Sequence, residues 1–80
     1  MAFHYAYILK LSNGDYYIGQ TDNLRRRIRE HKQGQQRTTK NFLPCTLVTY
    51  IAFKNKKLSK DFEKYLKTGS GFAFKNKHLV

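Results

Sequence analysis

Asn13-Gly14 stands between two short runs of aromatic and aliphatic residues, Tyr-Ala-Tyr-Ile-Leu-Lys-Leu at 5–11 and Tyr-Tyr-Ile-Gly at 16–19. Asn-Gly adopts the positive φ angles of a tight turn at low cost, so flanking β-rich runs make it a strong hairpin signal. The length of that turn fixes which side chains can meet. In a strict two-residue turn Lys10 would face Tyr17. Alternation would then put Tyr7 and Tyr17 on opposite faces of the sheet, and a shared face requires a three-residue loop or a bulge.

The remaining elements follow in order. Thr21-Asp22-Asn23 offers helix caps, Leu24 and Ile28 fall four apart in an arginine-crowded stretch, and Gly34 ends that pattern. Residues 33–41 lack any apolar side chain and read as an exposed loop closed by Pro44. From Cys45 to Phe53 the chain is β-branched and aromatic, a third strand too apolar to be an exposed edge on both faces. Asn55 can cap a second helix in which Leu58, Phe62, Tyr65 and Leu66 form one stripe, with Gly69 as its C-terminal stop. A last short helix runs from Gly71 to about Leu79. The expected fold is α+β, with element order ββαβαα. A small, three-stranded, mainly antiparallel sheet, made of the hairpin plus the third strand, is flanked by helices. No Ser/Gly/Pro-rich stretch divides the sequence, so residues 1–80 are expected to form a single domain.

Charge narrows the function classes. Sixteen Lys and Arg against five Asp and Glu give +11, spread along the chain. A folded domain that tolerates such self-repulsion is expected to bind a polyanion. No basic helix with a large apolar face and no run near the roughly 20 apolar residues of a membrane span is present, so a soluble, cytoplasmic protein is expected. Cys45 is the one cysteine and lies in an apolar run, which reads as a small core residue in a reducing compartment. Cys45, His4, His31 and His78 lack the paired spacings of a structural zinc site. Gly69-Ser70-Gly71 lacks the length and lysine placement of a phosphate-cradling loop, so no nucleotide cofactor is expected.

Tyr5-Ala6-Tyr7-Ile8-Leu9, then Tyr17-Ile18-Gly19 ten residues on, Thr21, Leu24, Arg27 and His31, together with Glu63 and the turn at 68–71, resemble the core of the GIY-YIG endonucleases in their small stand-alone branch. The resemblance spans nearly the whole chain, although Tyr5-Ala6-Tyr7 replaces Gly-Ile-Tyr and carries over only its second tyrosine. It implies hydrolysis of phosphodiester bonds with a divalent metal. Glu63 would be the metal ligand, Arg27 the cation on the scissile phosphate, and Tyr17 the water-activating group, with Tyr7 its companion. A free phenol titrates near ~10, so Tyr17 needs help from a neighbouring cation.

His31, one turn after Arg27, can orient the arginine or a tyrosine hydroxyl, donate to phosphate, or interact with its own helix terminus. Asn76, thirteen residues after Glu63, matches a polar position near the family's active site, and Lys75 and Lys77 beside it can contact phosphate. Few carboxylates suit Mg²⁺ or Mn²⁺, since Mg²⁺ keeps several waters and shares substrate oxygens. Arg25, Arg26, Arg29, Lys32 and Arg37 form the expected nucleic-acid footprint. The expected activity is thus a metal-dependent DNA endonuclease of low sequence specificity, working in repair, recombination or processing. The alternative is a binding module for DNA or RNA on the same fold.

Overall fold

A computed structural model describes residues 2–80. Strands β1 (His4–Lys10), β2 (Tyr16–Thr21) and β3 (Thr46–Phe53) form one antiparallel sheet in the order β2-β1-β3. Helix α1 (Leu24–Lys32) follows β2, and α2 (Lys56–Leu66) and α3 (Gly69–His78) follow β3. The order is ββαβαα and the fold is α+β, as the sequence predicts.

The hairpin loop has three residues. Leu11 N donates to Asp15 O at 2.8 Å, enclosing Ser12, Asn13 and Gly14, and Gly14 takes a φ of 88° that strains other residues. Leu9 therefore faces Tyr17 and Tyr7 faces Gly19, which puts Tyr7 and Tyr17 on one face. Against that face α1 packs Leu24 and Ile28, closing a core around Tyr7, Leu9 and Cys45. Asn23 caps α1 by accepting from Arg26 N at 3.1 Å.

The opposite face receives α2 and α3: Phe53 meets Phe62, and Thr49 donates from its hydroxyl to Leu79 O. Asn55 caps α2 as expected, accepting from Leu58 N at 2.9 Å. The helix is nevertheless rotated from the expected stripe, with Leu58 and Tyr65 exposed while Ser59 and Leu66 are buried. Polar satisfaction drives this rotation. Ser59 donates to Lys56 O at 2.8 Å and accepts from the Gln20 amide at 3.1 Å, so a small hydroxyl fits the helix–sheet contact without an unpaired group.

Helix α2 also ends earlier than Gly69. Lys67 is its C-cap, and Thr68 opens α3 by accepting from Gly71 N at 3.1 Å, so Gly69 begins a helix instead of stopping one. Between α1 and β3, residues 33–41 are not wholly exposed. Thr39 is fully buried, and Lys40–Phe42 form a 3₁₀ turn. No helix among the described residues is long and apolar enough to cross a membrane.

Candidate active site

Tyr7 needs a strand neighbour without a side chain. A Cβ on Gly19 would stand 2.5 Å from both the Tyr7 ring and its hydroxyl, so the tyrosine crosses the edge strand only because the Tyr-Ile-Gly tripeptide ends in glycine. Gly19→Ala is expected to destabilise the protein by about 1–3 kcal/mol through overpacking. Urea unfolding measures that cost, and loss of the Tyr7–His31 hydrogen bond by NMR reports the displaced hydroxyl.

The Tyr7 hydroxyl meets His31 Nε2 at 2.8 Å, and His31 Nδ1 meets the Thr39 hydroxyl at 2.8 Å. All three side chains are shut from solvent. Burial, and next the charge of Tyr17, pushes the Tyr7 pKa above the phenol range, with Arg27 opposing and Glu63 and Glu30 adding. Tyr7 therefore remains a phenol and donates to Nε2. The ring proton is thereby assigned to Nδ1, which donates to Thr39.

His31 is held below its usual pKa of 6.5, first by burial and then by the Arg27 guanidinium. The depressed value gives a signed expectation. As pH falls below about 6.5 the unfolded chain takes up this proton before the folded one, so stability is lost toward the folded pKa. Denaturant titrations from pH 7.5 to 4.5 should show the decline, and His31→Gln should flatten its first part.

Tyr17 is half-buried, with its ring 6.3 Å from that of Tyr7 and 5.1 Å from that of His31. Of the two paired tyrosines it is the more accessible. Arg27 is the one arginine of α1 that is partly buried, whereas Arg25, Arg26 and Arg29 are exposed. Its Nη1 lies 3.7 Å from Glu30, and its Nε is buried with no partner.

Glu63 comes from the other side of the sheet. It sits one turn beyond Ser59, whose contact with Gln20 aims that stripe of α2 at β2. Its carboxylate is 22% exposed and accepts from Lys67 Nζ at 3.0 Å. Four elements thus supply the candidate residues: Tyr7 from β1, Tyr17 from β2, Arg27 from α1 and Glu63 from α2.

A model of the GIY-YIG catalytic domain matches residues 3–77. The chain belongs to the GIY-YIG family. It is 37% identical over 65 residues to a UPF0213 protein of Clostridium perfringens, covering 80% of this chain and 70% of that one. A UPF0213 protein of Streptococcus pneumoniae is 36% identical over 64 residues, covering 79% of this chain and 65% of its own length. The solution structure of a UPF0213 protein from Bacillus halodurans superposes with a TM-score of 0.60 at 32% identity, covering 94% of this chain and 81% of that one. Membership places the chain in a nuclease superfamily, whose substrates are nucleic acids.

Seen as a GIY-YIG centre, the cluster offers few hard-oxygen donors, Glu63 and the Arg27-paired Glu30, and no group of three or more His, Cys, Asp or Glu among the described residues could hold a metal by itself. This donor set fits Mg²⁺ or Mn²⁺ completed by water and substrate oxygens, and it does not fit zinc. Lys67 competes for Glu63, but it is 54% exposed, and such surface pairs are weak.

Asn76 is exposed on α3 and lines a groove with Tyr16, Ile18 and Lys67, on the side of the sheet from which Glu63, the partner of Lys67, also comes. Lys32, in the last turn of α1, and Arg37, in the loop that follows, are exposed. The sequence reading missed Thr39 and Glu30, and nothing local marks either of them. The loop holding Thr39 is polar throughout, and Glu30 resembles any exposed helix acid.

Proposed function

We propose that this protein is a metal-dependent endonuclease that hydrolyses phosphodiester bonds of DNA with low sequence specificity, in DNA repair, recombination or processing. The observation that carries this reading is the packing of the Tyr7, Tyr17 and His31 rings into one cluster, with Arg27 one turn before His31 on α1, in a chain whose match to the GIY-YIG catalytic domain spans residues 3–77. Hydrolysis requires that a water attack phosphorus, lose its proton, and that charge on the phosphoryl oxygens be stabilised as the ester oxygen leaves. Tyr17 is the more accessible of the paired tyrosines and would act in its phenolate form, accepting that water's proton and becoming the phenol, while the departing ester oxygen takes a proton from solvent. Arg27 binds the scissile phosphate, for which a guanidinium fork is suited. Tyr7, buried and held by His31, packs its ring 6.3 Å from that of Tyr17 and positions it. A divalent cation on Glu63 would supply further charge stabilisation.

The test is incubation of purified protein with plasmid, branched and single-stranded DNA in Mg²⁺, Mn²⁺ or chelator, beside a Glu63→Ala control. Metal-dependent cutting lost in the control supports the reading, and equal cutting in both overturns it.

One observation favours a second reading. Glu63 already has a cationic partner in Lys67, as a residue of a catalytically weak binding module for DNA or RNA would. Under either reading Arg25, Arg26, Arg29, Lys32 and Arg37 contact phosphates. Log affinity for duplex DNA should fall linearly with log salt, and each neutralised footprint residue should lower the slope by about 0.9. A flat response would remove this surface from binding.

A further inference from the structure

Helices α2 and α3 cover one face of the sheet, which leaves the other to α1 and the loop that follows it. Beside α1 that second face opens into a cleft of about 530 Å³, lined by Tyr5 and Tyr50, by the apolar Leu24, Ile28 and Leu47, and by Arg25. We infer that this cleft stacks an unpaired nucleobase, with Arg25 on its flanking phosphate, so that the preferred substrates carry a single-stranded stretch. The substrate preference rests on the endonuclease reading; the base site rests only on nucleic-acid binding.

Strand register places the rings together. Tyr5 and Tyr7 alternate onto one face of β1, and Tyr50 is paired with Tyr7, so all three share that face. Tyr7 is buried, whereas Tyr50, on the edge strand β3, is 54% exposed. The Tyr5 and Tyr50 rings meet edge to face at 6.0 Å, and Phe3, 38% exposed, continues the row 6.4 Å from Tyr5. An edge contact orders two rings without covering both faces of either, so a planar apolar surface stays open to a ligand. Single exposed aromatics are ordinary on any surface, but adjoining rings in a cleft of a nucleic-acid-binding chain suit a flat base.

Charge selects between occupants. Arg25 is exposed and has no ion-pair partner among the described residues, so an apolar protein segment lying here would desolvate an unpaired guanidinium. A phosphate alone would gain nothing from Leu24, Ile28 and Leu47. A nucleotide brings both parts, a base for the rings and a phosphate for Arg25. Asp22 also lines the cleft, but its carboxylate is 69% exposed and leans toward Arg26 at 3.9 Å, so it stays hydrated at the rim. Bases in a duplex are paired and stacked, and only an unpaired or extruded one can enter. Tyr5 stands two strand residues, about 7 Å, from Tyr7, so a strand bound here runs beside the tyrosine cluster.

The experiment is binding in chelator, where nothing is cut, with three probes of one length: a thymine single strand, the same strand with abasic sites in place of its bases, and a duplex. The parent should bind the thymine strand about tenfold or more tightly than the abasic one, the scale of one base–aromatic stack. Tyr50→Leu keeps apolar bulk without the ring and should lose that difference, while binding the abasic strand and the duplex as the parent does. Tyr50→Phe keeps the ring and should retain it. Arg25→Ala should lower the salt slope on the thymine strand by about 0.7, and an unchanged slope would remove Arg25 from the site. Equal affinity of the parent for the two single strands would overturn the base site whatever the variants do. So would a preference that survives in Tyr50→Leu, or an equal loss on all three probes. Cutting is assayed separately in Mg²⁺ on paired and frayed duplexes, where equal rates would overturn the substrate preference. Failure of the parent to cut either would overturn the endonuclease reading alone, and the binding result would still decide whether the cleft takes a base.

Discussion

Glu63→Gln is expected to abolish cleavage while leaving DNA binding intact or slightly tighter. Glutamine keeps the shape and removes the charge, so the substitution separates metal binding from packing. The stripe of α2 that carries Glu63 is pinned by buried Ser59 and Leu66, and glutamine occupies the same space as glutamate beside them, so the fold should survive. Two effects favour DNA in the variant. A negative charge facing a polyanion disappears, and Lys67, now without its 3.0 Å partner, is free to contact phosphate.

The rate should respond in the opposite direction. Loss of one preorganised charge at a reacting centre costs about 10² to 10³ in rate, roughly 3 to 4 kcal/mol, and loss of the proposed metal carboxylate should cost at least as much. Single-turnover cleavage with Mg²⁺ and a binding isotherm in chelator measure the two quantities separately. Cutting at the parent rate by contaminant-free Glu63→Gln would show that Glu63 is not the metal ligand and would put the binding module first.

The hairpin, α1 and the order of elements were legible because each depends on local chemistry. Asn13-Gly14 sets a turn, Asn23 and Asn55 cap helices, and Leu24 and Ile28 repeat at helical spacing. Loop length was harder. One extra residue in the turn exchanges every side chain between faces, and only the Leu11–Asp15 pairing resolves it in favour of a Tyr7–Tyr17 face.

The orientation of α2 was misread because hydrophobicity points to Leu58 and Tyr65, whereas the buried position belongs to a serine satisfied by Gln20 and Lys56. That rotation sets the direction of Glu63. Thr39 was illegible for a related reason: its partner is His31, eight residues away across a turn, and a polar loop gives no sign of which hydroxyl turns inward. Candidate residues could thus be named from motif spacing, but their partners required the tertiary fold.

Under the proposed mechanism Arg27→Ala should lower both binding and cleavage, the latter by about 10² to 10³, because the same guanidinium would meet the phosphate in the ground state and as charge develops. Unfolding is a poor explanation for such a loss. Arg27 Nε has no hydrogen bond to forfeit, and its Glu30 contact is a partly exposed pair at 3.7 Å, with Arg26 still 3.8 Å from the same carboxylate. The melting temperature should therefore stay close to that of the parent.

Two comparisons make the result specific. Arg25→Ala removes an exposed charge of the same kind and should lose far less, through salt-dependent affinity alone. Arg27→Lys keeps the charge without the planar fork and should recover binding better than rate. An independent readout is His31. Arg27 helps hold its pKa down, so Arg27→Ala should raise the imidazole titration followed by NMR, even in protein that cuts nothing. A variant that shows this raised titration yet cuts at the parent rate would place Arg27 beside the cluster and outside the chemistry.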